Sequence, residues 1–362
     1  MNVLKYLNEK GIEALQSELA IKVNVWNDLY ILNYDQIDSP KNHPVTNECR
    51  SLVVAQDESG QWRTVSRSFD RFFNYGEIAE DSHDITKMTA FEKVDGSVVS
   101  LFYHNDQWLY RTRSMIMPET TVNGWDKTWK ELIEPVLLER GFKEHPHDTN
   151  LTYIFEVVGT ENRVVTRYNE SAAYLLAIRH NTSGVYYDMS EDAVALRGWK
   201  LPKRYTFRDF SECLTAAKEL PDLNEGYVLY DNFGVPSLKV KNPAYVAAHL
   251  LRGEGLNPKR ILQLIIMGET KEYLAVFPED AEHFEPYIKA NVLLEGAVAF
   301  THEYTKEIQD QKEYALKVKG YCYSGVLFSA RKQNKDPIQV LHSMEENYRL
   351  KLLTQFMKEN DL

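Results

Sequence analysis

Between residue 50 and Pro243 the chain alternates apolar and polar residues in short runs, and after Pro243 its apolar residues recur every three or four positions. A period of two is typical of β-strands, and the longer period is typical of amphipathic helices. The pattern, rich in β-branched and aromatic residues, predicts strands in seven runs: RSLVVA, SVVSLFY, QWLYRTRS, LTYIFEVVG, AAYLLAIR, GYVLYD and PSLKVK. A helix is predicted among them over residues 124–141, closed by Gly141. This part of the chain is therefore predicted to be an α+β body.

The tail after Pro243 is predicted to be all-helical. Asn257 before Pro258, and Asp336 before Pro337, each place a capping side chain next to a proline that suits the first helical position. Apolar residues at helical spacing form two stripes, one over Tyr287, Ala290, Leu294 and Val298 and one over Leu341, Met344, Tyr348 and Leu352. We interpret both stripes as core faces. We therefore expect two domains, over residues 1–245 and 246–362.

Composition and charge place the chain among water-soluble globular proteins. Its 362 residues are 43% apolar and 26% charged, with a net charge of -11, so no overall positive field attracts nucleic acid. A phosphate backbone would have to bind in a local basic cleft. Cys49, Cys213 and Cys322 lie far apart without a CxxC pair, which argues against a disulfide framework and a thiolate zinc site. The sequence suggests neither a signal peptide nor a membrane-spanning segment, and we expect a cytoplasmic monomer.

The candidate chemistry begins at FEKVDGSVVSLFY, where Lys93 precedes an Asp-Gly turn at the mouth of a predicted strand. Alone, such a lysine is usually a solvated turn residue. Two isolated glutamates follow, Glu156 inside an apolar strand and Glu225 just before another, and buried carboxylates are costly unless they are paired or bind a ligand. Lys239 and Lys241 share one face of the last strand because alternate strand residues point the same way.

Arginines add to this charge pattern. Arg50 lies at a strand mouth, Arg67 and Arg71 surround an aromatic group, and Arg111 and Arg113 are predicted to share a strand face. Each alone is more typical of a solvated surface. Together with the two glutamates, the cations on the strands indicate a polyphosphate site with a metal ion. The aromatic group of Phe69, Phe72, Phe73 and Tyr75 is interpreted as a core or lid cluster rather than as a base-stacking surface, and His145 and His147 are interpreted as loop residues rather than metal ligands.

The ordered motifs EKVDGS, FEVVG, NEGYVLY and SLKVK resemble those of the covalent nucleotidyltransferases, which include ATP-dependent DNA ligases, RNA ligases and mRNA capping enzymes. ECRSLVV, RSFDRFFN and GTENRVV make the chain more similar to the group of the first RNA ligase of T-even bacteriophages. The resemblance covers most of residues 45–250 in order. It implies an ATP-grasp-like adenylation domain of antiparallel sheets with flanking helices, followed by a helical domain concerned with RNA specificity.

The resemblance also implies a reaction. Lys93 would attack the α-phosphorus of ATP to form lysyl-AMP, the AMP would pass to an RNA 5′-phosphate, and a 3′-hydroxyl would then displace it. A lysine of pKa ~10.4 must lose its proton first, at a cost of about 4.6 kcal/mol at pH 7. We expect neighbouring cations and a bound metal to lower the pKa of Lys93.

Roles follow motif by motif from the resemblance. Glu156 would contact the ribose or metal-bound water, Glu225 would position Mg²⁺ or Mn²⁺, Lys239 and Lys241 would bind the α-phosphate, and Arg50 the outer phosphates. Asp95 and Gly96 would shape the turn that presents Lys93, with Gly96 supplying backbone freedom. Arg71 and Arg113 stand where lysines are expected and would still bind phosphate. The motif residues Glu92, Phe155 and Gly226 complete the expected nucleotide site.

Other functions remain open at this point. A DNA ligase or capping enzyme would share the lysine chemistry, but its family pattern has a strand-rich oligonucleotide-binding barrel where this chain is helical. A nucleotide-binding or RNA-binding module without catalysis would form no covalent adduct. A P-loop kinase is disfavoured because the chain has no GxxxxGK[ST] sequence. The resemblance suggests cleaved tRNA as one RNA substrate and a phage-infected host cell as one setting.

Overall fold

The computed structural model of the chain describes residues 1–77, 83–122, 126–139, 148–187, 199–221, 223–252 and 256–361. It contains two compact units, Met1–Leu250 and Leu251–Leu362. The division predicted after residue 245 lies within the helix Pro243–Arg252. Gly141 and the His145 and His147 pair lie outside the described residues.

The first unit begins with a four-stranded antiparallel sheet in the order β1-β2-β3-β4. Its strands are β1 Ile21–Trp26, β2 Leu29–Tyr34, β3 Arg50–Gln56 and β4 Trp62–Ser66. Three helices, α1 Asn2–Lys10, α2 Ile12–Leu19 and α3 Pro44–Glu48, belong to the same region. Val3, Leu7 and Leu15 pack with the sheet residues Leu32 and Leu52 in one apolar cluster. Helices α1 and α2 and strands β1 and β2 were not predicted.

The second sheet has five strands in the order β11-β10-β9-β7-β8. They are β7 Ser97–His104, β8 Gln107–Arg111, β9 Leu151–Val158, β10 Ala172–His180 and β11 Tyr186–Tyr187. Neighbouring strands pair antiparallel, and Val98 lies opposite Glu156. One face packs into a large apolar core with α4 Trp129–Glu134. Thr128 caps this helix through a reciprocal pair of hydrogen bonds with Glu131, and a π-helical turn, Pro135–Glu139, follows it.

The third sheet also has five strands, in the order β12-β6-β13-β14-β5. They are β5 Phe73–Asn74, β6 Thr89–Glu92, β12 Arg204–Tyr205, β13 Gly226–Tyr230 and β14 Pro236–Lys241. All pairs are antiparallel except β14 with β5. Helix α5 Phe210–Lys218 covers the apolar face through Cys213 and Ala217, and α6 Pro243–Arg252 follows β14. A 3-10 turn, Ile85–Lys87, precedes β6.

All of the regular secondary structure in the described residues of the second unit is helical. Its helices are α7 Pro258–Met267, α8 Thr270–Val276, α9 Ala281–Thr305, α10 Gln311–Val318, α11 Ser324–Gln333, α12 Pro337–Ser343 and α13 Glu346–Glu359. A 3-10 turn, Pro278–Asp280, precedes α9. Leu294 and Val298 of α9 pack with Leu341 and Leu352 in one apolar core. Between Leu251 and Leu362 no helix of the described residues is long and apolar enough to span a membrane, and the same holds for the described part of the first unit.

The predicted α+β body with a helical tail is confirmed, and the seven predicted strand runs all contain strands. As predicted, Asn257 caps α7 and Asp336 caps α12. The side chain of each residue accepts hydrogen bonding from backbone N–H in the first turn of its helix. Two details differ. The C-terminal stripe is divided between α12 and α13, because Met344 is extended, and Tyr348 is 40% exposed. Arg111 is buried in β8, whereas Arg113 lies beyond the strand and is exposed, so they do not share an open face.

Gly96 is needed because its turn packs closely against β9, and not for the backbone freedom that the sequence analysis expected. Its φ is not in the left-handed region, but a Cβ there would overlap the carbonyl oxygen of Val157 and lie 2.9 Å from Val158 Cγ1. The turn after Lys93 can therefore lie against β9 only because residue 96 has no side chain.

We expect Gly96→Ala to lower the free energy of unfolding by about 3 kcal/mol, since the backbone of β9 would have to move. Gly60→Ala is the matched control, because a Cβ at Gly60 meets no atom within 4 Å, although its φ of 79° adds some strain. Urea unfolding of the two variants measures the difference. Equal losses of stability would contradict the packing role of Gly96.

Candidate active site

Three adjacent strands bring the central charged residues together. Lys93 follows β6, Glu225 precedes β13, and Lys241 ends β14; because these neighbours are antiparallel, the three residues meet at one end of the third sheet. Lys93 N donates to Gly226 O at 2.8 Å, and Gly226 lies opposite Lys241. Sequence segments more than a hundred residues apart thus place their side chains at one point.

Glu225 lies between the two lysines and contacts both. Its carboxylate is 5% exposed and accepts from Lys93 Nζ at 2.6 Å on one oxygen and from Lys241 Nζ at 3.0 Å on the other. Although burial opposes ionisation, the two ammonium groups hold the pKa of Glu225 below its usual value. Glu225 is therefore a carboxylate bound by two lysines.

The pKa of Lys93 is the reverse of what the sequence predicted. Burial alone would lower it, but the charges of Glu225 and Glu156, with the hydrogen bond to Glu225, raise the pKa of Lys93 above its usual value. The expectation that neighbouring cations lower it is wrong for this structure, because the attraction of the Glu225 and Glu156 carboxylates outweighs the effect of burial. Its side chain remains 21% exposed to the cleft.

Glu156 enters from the second sheet. It lies on β9, and one carboxylate oxygen accepts from Gly96 N at 3.2 Å. Burial raises the pKa of Glu156 to about 8, with the charges of Glu225 and Asp95 acting in the same direction and Lys93 against it. Glu156 is therefore harder to ionise than an ordinary glutamate.

Lys239 differs from the other lysines of the cleft. Its ammonium lies 4.5 Å above the ring of Phe72. Burial and the charges of Arg50, Lys93 and Lys241 lower the pKa of Lys239 to about 7. A lysine surrounded by cations and an aromatic ring is a receptor for an anion.

One cleft is lined by Lys93, Glu156, Lys239 and Lys241 together with apolar side chains. The apolar walls come from Phe69, Phe72, Phe91, Val228 and Tyr230, and the polar groups are Arg50, Glu92, Lys93, Glu156, Lys239 and Lys241. Arg50 stacks on Phe72 with its guanidinium carbon 4.8 Å from the ring centre. The cleft thus combines flat apolar surfaces with a group of cations.

Some predicted residues lie around the cleft rather than in its lining. Arg71 and Arg113 both lie over the ring of Tyr34, at 4.4 and 5.6 Å, and Arg113 is close enough to Arg50 to influence its charge. Phe155 is fully buried on the other face of β9 and packs against Trp199 at 4.8 Å. The structure therefore places Phe155 in the core behind the sheet.

Gly226 is required at the start of β13 by its backbone. Its φ is 138°, and a Cβ would overlap the carbonyl oxygen of Val240 and lie 2.9 Å from Lys241 Cα. Any larger residue here would separate β13 from β14 and hence Glu225 from Lys241.

Asp95 has more partners than a turn residue needs. One oxygen accepts from the N–H groups of Val165 and Thr166, at 2.8 and 2.7 Å, and the other accepts from the hydroxyl of Tyr245 at 2.6 Å. Asp95 is 3% exposed, so it ties the Lys93 turn to helix α6 in the interior. Tyr245 was missed in the sequence because its stretch resembles an ordinary amphipathic helix.

A second contact that the sequence did not predict fixes the segment that carries Phe69 and Phe72. The buried Arg179 of β10 pairs with Asp70, Nη2 to Oδ2 at 2.7 Å, and also donates to the carbonyl of Ser68. These bonds hold the segment that carries Phe69 and Phe72 against the second sheet. The predicted aromatic group is divided: Phe69 and Phe72 line the cleft, and Tyr75 packs beside α5 on Phe210.

Comparison with known proteins shows the family of the chain. The family model described as RNA ligase matches residues 48–245, which is more than half of the chain and contains every cleft residue named above. The chain belongs to this RNA ligase family, and the resemblance predicted from its motifs is confirmed.

Individual relatives extend the similarity. A proposed bifunctional polynucleotide kinase/RNA ligase of Autographa californica nuclear polyhedrosis virus is 32% identical over 310 residues, covering 80% of this chain and 44% of that protein. An RNA ligase of Rhodothermus phage RM378 is 26% identical, covering 76% of this chain and 75% of that one. The chain thus spans less than half of the viral relative. Among solved structures, an archaeal ATP-dependent RNA ligase aligns with 99% of this chain and 90% of its own, at 14% identity and a TM-score of 0.48.

We expect Lys239→Met to stabilise the nucleotide-free protein by about 1–2 kcal/mol at pH 6, less than the full pKa shift implies because solvent screens the side chain. A lysine whose pKa falls on folding destabilises the folded state below that pKa, and the penalty fades as pH rises towards 10. The gain should therefore be largest at or below pH 7 and absent near pH 10.

Thermal melting of both proteins from pH 6 to pH 10 measures this difference. Lys5→Met is the control, because Lys5 is 76% exposed. A gain that does not change with pH, or that grows as pH rises, would contradict a buried, cation-crowded Lys239.

Proposed function

We propose that the protein is an ATP-dependent RNA ligase that joins RNA 5′-phosphate and 3′-hydroxyl ends through lysyl-AMP and an adenylylated RNA. The observation that carries the proposal is the group of Lys93, Glu225 and Lys241, joined at 2.6 and 3.0 Å in a cleft with flat apolar walls. Membership of the RNA ligase family supports it.

In the first step, Lys93 attacks the α-phosphorus of ATP, a P–N bond forms, and pyrophosphate leaves. The nearest base for the lysine proton is Glu225, which already accepts a hydrogen bond from Nζ at 2.6 Å. Lys239 and Lys241 bind the α-phosphate, and Arg50 faces the outer phosphates with Arg71 and Arg113 behind it. Asp95 and Gly96 hold the turn that aims Lys93.

The side chains present fit a divalent metal bound together with phosphate. Mg²⁺ usually takes one or two carboxylates plus phosphate oxygens and water, and Glu156 and Glu225 supply two carboxylates near Lys93. Within the described residues no group of three or more His, Cys, Asp or Glu side chains forms a metal cage. Mg²⁺ or Mn²⁺, when bound, would neutralise phosphate charge and disfavour the ammonium form of Lys93. Glu156 and Glu225 are the residues that we assign to it, through water.

The nucleoside would occupy the apolar part of the cleft. Phe91, Val228 and Tyr230 lie along the strands that lead away from Lys93, and Phe91 and Tyr230 stand edge to face with centroids 5.2 Å apart. Glu92 and Glu156 complete the polar boundary of the cleft, and the carbonyl oxygen of Gly226 holds the backbone of Lys93. Phe155 supports this site only from behind, through the core.

We assign RNA selection to the helical unit, residues 251–362, as part of the same proposal. Its described residues form no oligonucleotide-binding barrel of strands, which would be expected in the DNA ligase and capping branches. Cleaved tRNA is the RNA substrate we favour. We also propose that the protein acts as a monomer in the cytoplasm, which is the host cytoplasm if a phage encodes it.

Incubation with α-³²P-labelled ATP and Mg²⁺ should label the protein covalently, and Lys93→Ala should remove the label completely because Lys93 is the proposed nucleophile. Denaturing gel electrophoresis measures it. Lys5→Ala, an exposed lysine on α1, is the control and should label normally. A labelled Lys93→Ala protein would contradict the assigned nucleophile, and an unlabelled wild-type protein would favour a module that binds nucleotide without catalysis.

Sealing of a nicked tRNA stem-loop, a linear single-stranded RNA and a nicked DNA duplex should differ, with both RNAs sealed at least tenfold faster than the DNA. Rates are measured under matched salt, since phosphate contacts depend on ionic strength. Equal or faster sealing of the DNA would replace the RNA ligase proposal by a DNA ligase.

A further inference from the structure

The chain between β4 and β5 carries two aromatic side chains of the cleft and is bound from outside the cleft. We call residues 68–72 the 68–72 segment. Its Phe69 and Phe72 line the cleft, whereas Asp70 is not among the described lining residues. Asp70 is instead bound by Arg179, which lies on β10 of the second sheet and is also outside that lining. The segment therefore has an attachment that a ligand in the cleft need not touch.

Arg179 uses every nitrogen of its guanidinium group in this attachment. Its Nη1 and Nη2 donate to the two carboxylate oxygens of Asp70 at 3.0 and 2.7 Å. Nη1 also donates to the carbonyl oxygen of Ser68, and Nε donates to that of Gly184 at 3.0 Å. Arg67 Nη2 reaches Asp70 as well, at 3.3 Å. A bidentate arginine–carboxylate pair fixes orientation as well as distance, so Asp70 has one defined position relative to β10.

Ring contacts lead from the same arginine to the cleft. The guanidinium carbon of Arg179 lies 4.6 Å from the ring centre of Tyr186. Tyr186 stacks on Phe69 with ring centres 6.4 Å apart, and Phe69 meets Phe72 edge to face at 6.0 Å. Arg179 therefore holds the 68–72 segment through aromatic packing in addition to hydrogen bonds.

The 68–72 segment in turn positions two cations of the cleft. Arg50 lies 5.8 and 4.8 Å from the ring centres of Phe69 and Phe72. Its Nη1 donates to the carbonyl oxygen of Asp70 at 3.5 Å. The ammonium of Lys239 lies 4.5 Å from the ring centre of Phe72. Because a cation–π contact requires the cation over the ring face, a shift of this segment would release both cations from their positions.

The proposed nucleophile has a separate support. Lys93 and Lys241 are bound by Glu225, and the turn after Lys93 is held by Asp95 through the backbone N–H groups of residues 165 and 166 and through Tyr245. These contacts use no atom of the 68–72 segment or of Arg179. Loss of the Arg179 pair should therefore disturb the binding of phosphate while Lys93 stays in place.

We propose that Arg179, acting through Asp70, is a positioning residue that holds Arg50 and Lys239 where they meet the phosphates of ATP. This inference rests on the proposed ligase function. The reverse of its first step isolates the role, because pyrophosphate carries phosphate charge without a nucleoside. In that reverse step an oxygen of pyrophosphate forms a P–O bond to the AMP phosphorus and the P–N bond to Lys93 breaks. The nitrogen keeps the electron pair and takes back the proton held by Glu225.

The test times this reverse step. Wild-type protein and Arg179→Met are loaded with labelled AMP, freed of ATP, and mixed with Mg²⁺ and increasing concentrations of pyrophosphate, and the labelled ATP released is measured. The pyrophosphate concentration at half-maximal rate should rise about 10- to 100-fold, as expected when hydrogen bonds between charged groups no longer hold the binding side chains. The maximal rate should change by less than about threefold, because Lys93 keeps its own support.

A double-mutant cycle shows whether Arg179 acts through Asp70. Asp70→Ala should raise the half-maximal concentration by a similar factor, and Arg179→Met/Asp70→Ala should exceed the larger single effect by no more than about twofold, because both changes remove the same contact. Arg179→Lys keeps the charge but not the bidentate geometry and should be intermediate. Single effects that multiply in the double variant would overturn the proposal.

His104→Gln is the matched control. His104 is buried on β7 of the same unit, pairs with Asp28 at 2.9 Å, and is not among the described lining residues of the cleft. Breaking this pair should leave the half-maximal pyrophosphate concentration unchanged. An equal rise in His104→Gln would show a general loss of structure and overturn the positioning role, as would unchanged pyrophosphate dependence in Arg179→Met.

Arg179→Lys and Asp70→Ala keep the test decisive if Arg179→Met does not fold. Absence of lysyl-AMP in the wild-type protein would instead refute the ligase function itself. The two failures are therefore distinguishable.

Discussion

The buried carboxylate of Glu225 between two ammonium groups is the interaction on which the rest of the site depends. Isolated, any of these three charges would be costly in the interior; paired at 2.6 and 3.0 Å, they fix one another and the ends of three strands. The same pairing keeps Lys93 protonated, because its pKa is raised. The nucleotide-free protein therefore holds its proposed nucleophile in place but inactive. Removing that proton at pH 7 would cost more than the ~4.6 kcal/mol of an ordinary lysine, so in the proposed mechanism the charge brought by ATP and its metal would compensate.

Two lysines in one cleft shift in opposite directions because their neighbours differ. Lys93 is close to carboxylates, whereas Lys239 lies over the ring of Phe72 among Arg50, Lys93 and Lys241, and its pKa falls to about 7. The carboxylates keep Lys93 protonated. The crowded positive charge around Lys239 is unfavourable, and the negative charge of a bound phosphate would offset it. Binding and nucleophilic attack are thereby assigned to different side chains, although both residues lie on neighbouring strands of one sheet.

The sequence was sufficient for seven strands of the first unit, the capped tail helices and the charged residues, because alternation, capping and isolated glutamates are local signals. It could not show which side chains contact one another across distant segments. That Lys93 meets Glu225 rather than a cation depends on strand order, and the pKa prediction failed for that reason. The roles of Asp95 with Tyr245 and of Arg179 with Asp70 were invisible because each joins distant segments. Gly96 was recognised, but for backbone freedom, since only the packed structure shows how close β9 lies.

The overall charge makes local geometry decisive for substrate binding. With a net charge of -11 the chain repels a polyanion at long range, so the RNA of the proposed reaction would have to be bound by contacts within a Debye length of about 8 Å in physiological salt. Cations alone would be weakened by the surrounding acidic surface and by salt. Aromatic surfaces beside them add stacking that salt barely screens. The cleft at Lys93 combines both kinds of surface, since Arg50, Lys239 and Lys241 line it together with Phe69, Phe72 and Phe91.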